Sequence, residues 1–470
     1  MKPVKIKFGT DGWRAIIAKD YTVDNVARVT LGVVNWLKAN FENPSVVVGH
    51  DCRFGGELFA DTVTKVLVKH HIKVYRAYGF VSTPMVSLGA VTYNASLGII
   101  LTASHNPPSY NGYKLKGNFG GPLLEEDILK VENLIPDENH IDLDAVNLDD
   151  FSDYIQEVDL ETDYVNHVEK NFDMDAIRNT NLRFAYDAMY GAGQSVMRRL
   201  LPDIDFLHCE ENPGFHGVAP EPILRNLQEF SEMIKLSDGE INCGLATDGD
   251  ADRIGLFDSQ GNFVDSHHII LLLIKYLVEE KGYKGKVVNA FSVTPRVKKM
   301  CEHYGLDYQV VKIGFKHIAG IMLKEDVLLG GEESGGIAIK GHIPERDGIW
   351  MGLTIWEYMV KSGKTLEELI EDMYKIVGKF AFERIDLKVP NDQKWRIMEN
   401  CEKGVYKSFG PYKVRRVENV DGYKFFFDND EWVMIRPSGT EPVLRTYAES
   451  SDTEGAFKIL KAVHDTILKA

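Results

Sequence analysis

The chain has 470 residues, 44% hydrophobic and 26% charged, a balance that excludes a disordered or fibrous protein and supplies several compact cores. Its 70 acidic against 54 basic side chains leave a formal charge of −16, which argues against nucleic acid as the main partner, since a phosphate backbone calls for a cationic surplus. No apolar run is long enough to span a bilayer, and five scattered cysteines without CxxC spacing fit a reduced, cytoplasmic protein.

From the N-terminus, Met1-Lys2-Pro3-Val4-Lys5 leads into a short alternating strand without the apolar core of a secretion signal. A βαβ rhythm then appears three times. The first copy runs from Val46-Val47-Val48 through Gly55-Gly56 to a helix with Phe59, Val63, Val66 and Leu67 on one face, then Val74-Tyr75. The second runs from Phe184-Ala185-Tyr186 through Gly191-Ala192-Gly193 and a helix with Val196, Met197, Leu200 and Leu201 to Phe206-Leu207. The third runs from Val287-Val288 through Thr294-Pro295 and a helix with Val297, Met300, Cys301 and Tyr304 to Gln309-Val310-Val311. This alternation implies three related α/β units with mainly parallel sheets. Residues 137–150 hold six acidic side chains and no period, and a junction follows them. Thr365 and Glu368 form a capping box for a helix over Leu366–Val377, which Gly378 ends. The last stretch predicts short strands at 384–389, 425–427 and 432–435 and a helix near 454–468, a smaller α+β module.

Four loops carry chemistry. Thr102-Ala103-Ser104-His105-Asn106-Pro107 follows the apolar strand 97–101, so Ser104 stands at a sheet edge where ligands bind, as a nucleophile or phosphate carrier or simply as a capping turn. A Ser104–His105 dyad is disfavoured if the segment is extended, because neighbouring side chains then point to opposite sides. In Asp248-Gly249-Asp250-Ala251-Asp252-Arg253, three carboxylates at every second position of an extended loop face one side, a hard-oxygen site suited to Mg²⁺, or else an acidic loop paired with Arg253. It is not an EF-hand, which needs Gly where Arg253 stands and Glu where Ser259 stands. Gly331-Glu332-Glu333-Ser334-Gly335-Gly336 offers acceptors for sugar hydroxyls or a flexible turn. Arg436-Pro437-Ser438-Gly439-Thr440-Glu441-Pro442, with Arg445 beyond, is a phosphate cradle or an ordinary turn. Together the four describe phosphoryl transfer on a sugar phosphate. A zinc-type serine phosphatase would need His ligands that the acidic loop lacks.

These loops, in this order, and Phe8-Gly9-Thr10-Asp11-Gly12-Trp13-Arg14 resemble the α-D-phosphohexomutase superfamily of phosphoglucomutases and phosphomannomutases over essentially the whole chain. The resemblance implies three mixed α/β domains and a smaller C-terminal α+β domain around a central cleft, here at 1–155, 156–262, 263–378 and 379–470. It implies that Ser104 is a phosphoserine, that Asp248, Asp250 and Asp252 hold Mg²⁺ with an oxygen at Ser104, and that glucose 1,6-bisphosphate is the intermediate and activator. Glu332 and Ser334 would hold the sugar hydroxyls, and Arg436, Ser438, Gly439, Thr440 and Arg445 the non-reacting phosphate. Lys114 would act as general acid/base, although a lysine after Asn111-Gly112 otherwise reads as a surface charge. Arg14, Arg253 and His105 would complete the catalytic set, and Lys316 and Arg346 would add positive field for a dianion. Gly336 replaces a His that many bacterial relatives carry, and Glu333 a Gln usual in phosphoglucosamine mutases. With Gly314-Phe315-Lys316 and the segment 342–348, these point to glucose phosphate first, mannose phosphate second and glucosamine phosphate third. The partner is a hexose phosphate, and the assembly a monomer or homodimer. A non-catalytic sugar-phosphate-binding homologue is disfavoured by the intact serine and aspartates.

Overall fold

The computed structural model describes residues 4–9, 11–438 and 442–469. All three βαβ repeats form as parallel pairs: Ser45–His50 with Lys73–Ala77, Arg183–Asp187 with Asp205–Leu207, and Lys286–Ala290 with Tyr308–Val311. A third parallel strand joins each pair on its other side: Leu97–Leu101, Ile241–Thr247 and Val327–Gly331. Each of these three strands then turns back on itself. The returning strands Tyr110–Gly117, Ile254–Phe257 and Ile337–Ile339 pair antiparallel with them, so the sheets are mixed rather than mainly parallel. The reason is loop length: the serine, acidic and glutamate loops are too short for a crossover helix and can only close hairpins. The phosphate loop likewise joins the antiparallel strands Trp432–Pro437 and Val443–Ser450. The serine, acidic and glutamate loops thus occupy one kind of position, the tip of a hairpin.

Two expectations are corrected at the edges. Residues 4–8 form no strand; Ile6 and Phe8 are buried as the alternation suggested, but the Phe8 N–H donates to Glu132 Oε2 at 2.8 Å, a side chain and not a strand partner. The first strand is Trp13–Ile16. The strand Ile155–Val158 pairs with Lys73–Ala77 on the edge of the first sheet, so a boundary at 155 would cut it from its unit.

The capping box at Thr365 and Glu368 is present in both directions, and the helix spans Leu366–Val377 as its apolar spacing predicts. The helices Ser266–Glu279 and Gly348–Ser362 are buried almost all round, because they lie between sheets rather than on the surface. One apolar core runs through all three α/β units, including Val47, Tyr186 and Leu329. The C-terminal module has its own core, with Ile397, Phe425, Ile435 and Ile459 between a five-stranded sheet and the helices Asn391–Glu402 and Thr453–Ile467. Among the described residues no helix is long and apolar enough to cross a membrane, and all five cysteines are free.

Candidate active site

The serine loop leaves the fully buried strand Leu97–Leu101, and Ser104 itself is 1% exposed. Its backbone is left-handed (φ 51°), an uncommon conformation for a residue with a Cβ. This turn corrects the extended reading: it brings Ser104 Oγ within 3.3 Å of His105 Nδ1 and 2.7 Å of Asp248 Oδ2, to which the hydroxyl donates. Burial and the surrounding cations Arg253, Arg14, Lys114 and Arg53 push the His105 imidazole well below its ordinary value, so it is neutral.

Asp248, Asp250 and Asp252 are fully buried, each offering an oxygen within 4.8 Å of the others. Their convergence comes from a tight turn, with Ala251 left-handed at φ 56°, and not from strand-like alternation. Gly249 is required by close approach: a Cβ there would lie 2.7 Å from the Ser104 carbonyl oxygen. Asp248 Oδ1 accepts the N–H groups of Asp252 and Arg253 at 3.0 and 3.1 Å. Asp250 Oδ2 accepts from Lys114 at 2.7 Å and Thr83 at 2.5 Å, and Asp252 Oδ2 faces Lys114 at 3.1 Å and Arg346 at 2.8 Å. Asp250 Oδ1 and Asp252 Oδ1, both buried, receive no hydrogen bond from the described residues. Buried carboxylate oxygens are rarely left bare, so this donor set fits a hard divalent cation. Burial and the charges of Asp250 and Asp252 push Asp248 well above the usual carboxylate range, against Arg253 and the Ser104 hydroxyl. Asp250 goes the other way: burial alone would raise it, but Lys114, Thr83 and Arg346 hold it far below.

Lys114 is fully buried, not a surface charge, because Lys114 and Lys116 project from the same face of the strand Tyr110–Gly117. Burial disfavours its charge, but Asp11, Asp250 and Asp252 outweigh that and hold the proton more firmly than usual. Asp11 lies 2.9 Å from Lys114 and also pairs with Arg346, which burial does not prevent from holding the carboxylate well below its ordinary range. Lys116 pairs with Glu345 at 2.7 Å. Arg14 donates to Asn106 Oδ1 at 2.6 Å in the serine loop, and Arg253 stands 3.9 Å from Asp248.

The glutamate loop meets the acidic loop directly, through a bridge between Arg253 and Gly336 and the Ile254 N–H donating to Gly335 O at 3.2 Å. Glu332 Oε1 accepts the Gly314 N–H at 2.8 Å, and burial raises its carboxyl despite Arg346. Glu333 is raised by burial too, with Arg384 at 3.5 Å opposing. Ser334 is half-buried at the loop tip. A side chain at Gly336 would begin 2.5 Å from Arg346 Cδ, so the arginine fills the space that a larger residue would need there.

Two groups of expected substrate residues stand apart. Lys316 points away to Glu125 at 2.6 Å, a link between the third and first units. In the C-terminal module Arg436 and Arg445 are register partners on adjacent strands, paired with Asp421 at 3.2 Å and Asp386 at 3.9 Å. Ser438 O accepts from Lys394 at 3.0 Å, while Gly439 and Thr440 lie outside the described residues. Asp386 also binds Arg384 at 2.8 Å, so a chain of charges runs from Arg445 through Asp386 and Arg384 to Glu333. The sequence reading named neither Asp11 as a site residue nor Asp51, Arg53, Thr83 and Glu345. The signal for two of them was available: Asp51-Cys52-Arg53 follows the C-terminal end of a parallel strand, where α/β sheets place ligand groups.

Three α/β units whose hairpin loops meet around one buried cluster of charges, followed by an α+β module, define a class, and the matches to known proteins specify it. Residues 5–141, 162–261 and 265–377 match alpha/beta/alpha domains I, II and III of phosphoglucomutase/phosphomannomutase, and 385–465 its C-terminal domain. A phosphoglucomutase/phosphomannomutase of Thermococcus kodakarensis is 30% identical over 97% of this chain and 96% of its own. A phosphoglucosamine mutase of Methanococcus maripaludis is also 30% identical, over 97% of this chain and 96% of its own. The crystal structure of a Thermus thermophilus protein assigned as a phosphomannomutase superposes with a TM-score of 0.87 at 30% identity, covering 100% of both chains. The chain belongs to the phosphoglucomutase/phosphomannomutase family, within the α-D-phosphohexomutase superfamily. It is accordingly an enzyme, an isomerase-type phosphotransferase acting on hexose phosphates.

Proposed function

We propose that the protein interconverts α-D-glucose 1-phosphate and glucose 6-phosphate through a phosphoserine at Ser104 and glucose 1,6-bisphosphate. The observation that carries this reading is the hydroxyl of Ser104 held 2.7 Å from Asp248 and surrounded by Lys114, Arg14 and Arg253. In the first half-reaction the Oγ–P bond of phosphoserine breaks as the 6-hydroxyl oxygen of glucose 1-phosphate bonds to phosphorus, and the proton lost by that hydroxyl is balanced by the one that Ser104 Oγ gains. In the second half the bisphosphate turns over, its O1–P bond breaks as Ser104 Oγ bonds to that phosphorus, and the proton lost by Oγ is balanced by the one O1 gains, releasing glucose 6-phosphate. Asp248, Asp250 and Asp252 with an oxygen at Ser104 would hold Mg²⁺, which supplies charge neutralisation at the phosphoryl oxygens when bound. Lys114, fixed as an ammonium by three carboxylates, stabilises charge developing on the phosphoryl group, and in that state it has no lone pair with which to act as the base. Glu332 accepts from sugar hydroxyls, Ser334 adds a hydroxyl, and Arg436 and Arg445 grip the phosphate that does not react. A hydroxyl that is 1% exposed becomes reachable only when groups around it move, so opening of the cleft accompanies each turnover.

The glucose preference rests on Glu333, engaged by Arg384, and on Gly336, whose place is filled by Arg346. Mannose phosphate is the second reading, favoured by the Thermococcus relative, and glucosamine phosphate the third, favoured by the Methanococcus one. A coupled assay with Mg²⁺ and a trace of glucose 1,6-bisphosphate tests this by comparing kcat/KM for the three α-1-phosphates. A clear preference for glucose 1-phosphate is expected. Equal mannose turnover would make it a dual mutase, a glucosamine preference would overturn the assignment, and release of inorganic phosphate alone would indicate a phosphatase.

A further inference from the structure

We infer that Arg53, which touches no residue proposed to bind the sugar, is the positioning residue that holds the reactive serine in its left-handed conformation. Arg53 is 2% exposed, beneath the serine loop. Its Nη2 donates to Ser104 O at 2.5 Å and Asn106 O at 2.7 Å, and its Nη1 to Pro107 O at 3.0 Å and Tyr110 O at 3.1 Å. Four backbone carbonyls of one loop thus converge on a single guanidinium.

The loop requires such a group. With Ser104 left-handed, its carbonyl turns inward to a place where no strand partner can reach it, and a buried acceptor left bare is destabilising. A planar fork with several donors can satisfy convergent carbonyls, whereas an ammonium cannot reproduce that geometry. Arg53 is itself oriented from two sides. Asp51 Oδ2 lies 3.3 Å from its Nε, and the Phe215 ring, from the second unit, packs 4.9 Å from its guanidinium carbon. Asp51 extends the scaffold: it accepts from Thr102 Oγ1 at 2.5 Å, and Thr102 Oγ1 in turn accepts the Ser104 N–H at 2.9 Å. Both backbone polar groups of Ser104 therefore lead back to the Asp51–Arg53 pair. The Ser104 side chain then points to Asp248, at 2.7 Å, with His105 Nδ1 beside it at 3.3 Å. Displacing the reacting oxygen by about 1 Å is enough to cost on the order of 10²-fold in rate.

The inference rests on the proposed phosphoserine mechanism, and the test separates the two. Wild-type protein is first incubated with glucose 1,6-bisphosphate and Mg²⁺, and phosphorylation of Ser104 is read by intact-mass spectrometry. No transfer to the wild-type protein counts against the mechanism rather than against Arg53. With transfer established, Arg53→Lys and Arg53→Ala are compared by kcat, KM and thermal unfolding. Arg53→Lys, which keeps the charge and most of the volume, is expected to lose about 10²-fold in kcat with KM within about threefold. In Arg53→Ala, guanidinium ion is expected to restore part of the transfer rate while ammonium does not. If Arg53→Ala does not fold, Arg53→Lys decides alone. A lysine variant with kcat within twofold of wild type, or a loss confined to KM or to melting temperature, overturns the inference.

Discussion

The serine cleft and the C-terminal loop proposed to grip phosphate both offer arginine and hydroxyl groups, yet they are built in opposite ways. In the cleft, Ser104, Lys114 and the three aspartates are at most 1% exposed and fixed by several partners each. In the C-terminal module the side chains of Arg436 and Arg445 are 20% and 30% exposed, each with one carboxylate partner among the described residues, at 3.2 Å or more. The cores differ in the same sense: the three α/β units share one apolar cluster, while the C-terminal module packs around its own. Transition-state charge must meet groups already in place, since reorganising dipoles during the reaction raises the barrier. A phosphate that only anchors the sugar can be met by groups that move with a separate module.

The contrast can be broken by variants, beginning where the effect is largest. Ser104→Ala should lower mutase turnover by roughly four orders of magnitude or more with an unchanged melting curve; near-normal turnover would remove Ser104 from the chemistry. Asp250→Asn should reduce kcat on the order of 10²–10³-fold and weaken Mg²⁺ activation, and an unaltered Mg²⁺ titration would place the metal elsewhere. Arg445→Ala, on the looser side, should act on binding. A lost charge-assisted hydrogen bond of about 1.5–3 kcal/mol predicts a KM raised roughly 10–100-fold with kcat largely kept, and a matching fall in kcat would erase the distinction between the two regions.

The smallest effect concerns the joint between them. Lys424, 3% exposed, donates to Val293 O at 3.1 Å across the third unit and lies 4.1 Å from the Trp432 ring. Burial pushes its ammonium from 10.5 down to about 7, with Glu449 pulling the other way. The folded value is below the unfolded one, so between about pH 7 and 10.5 the unfolded chain holds the extra proton. Stability should therefore rise with pH across that window, by about 1.4 kcal/mol per pH unit at most. Lys424→Met should flatten the rise; urea unfolding at pH 7 and pH 9 checks it, and parallel slopes in both proteins would assign the ammonium an ordinary value.

Much of the architecture is a local matter and could be read from residue order. Apolar periodicity marked the three βαβ repeats, and Thr365 with Glu368 marked a helix start, because a capping box and a 3.6-residue period depend only on neighbours in the chain. The loop motifs named the chemistry for a related reason: three carboxylates within five residues must be answered by a cation wherever the loop sits. Which cation answers them depends on the fold. Lys114 looks like a surface lysine after an Asn-Gly turn and is buried against Asp250 because a hairpin in one sheet faces a hairpin in another. The same holds for the Ser104 turn, which no periodicity signals and which depends on a guanidinium 51 residues earlier in the chain. Sequence determined the elements and the reactive residue types, since those follow from short-range sterics and hydrogen bonding. Tertiary structure decided charge state, orientation and partnership, since these depend on burial and on charges brought together from distant parts of the chain.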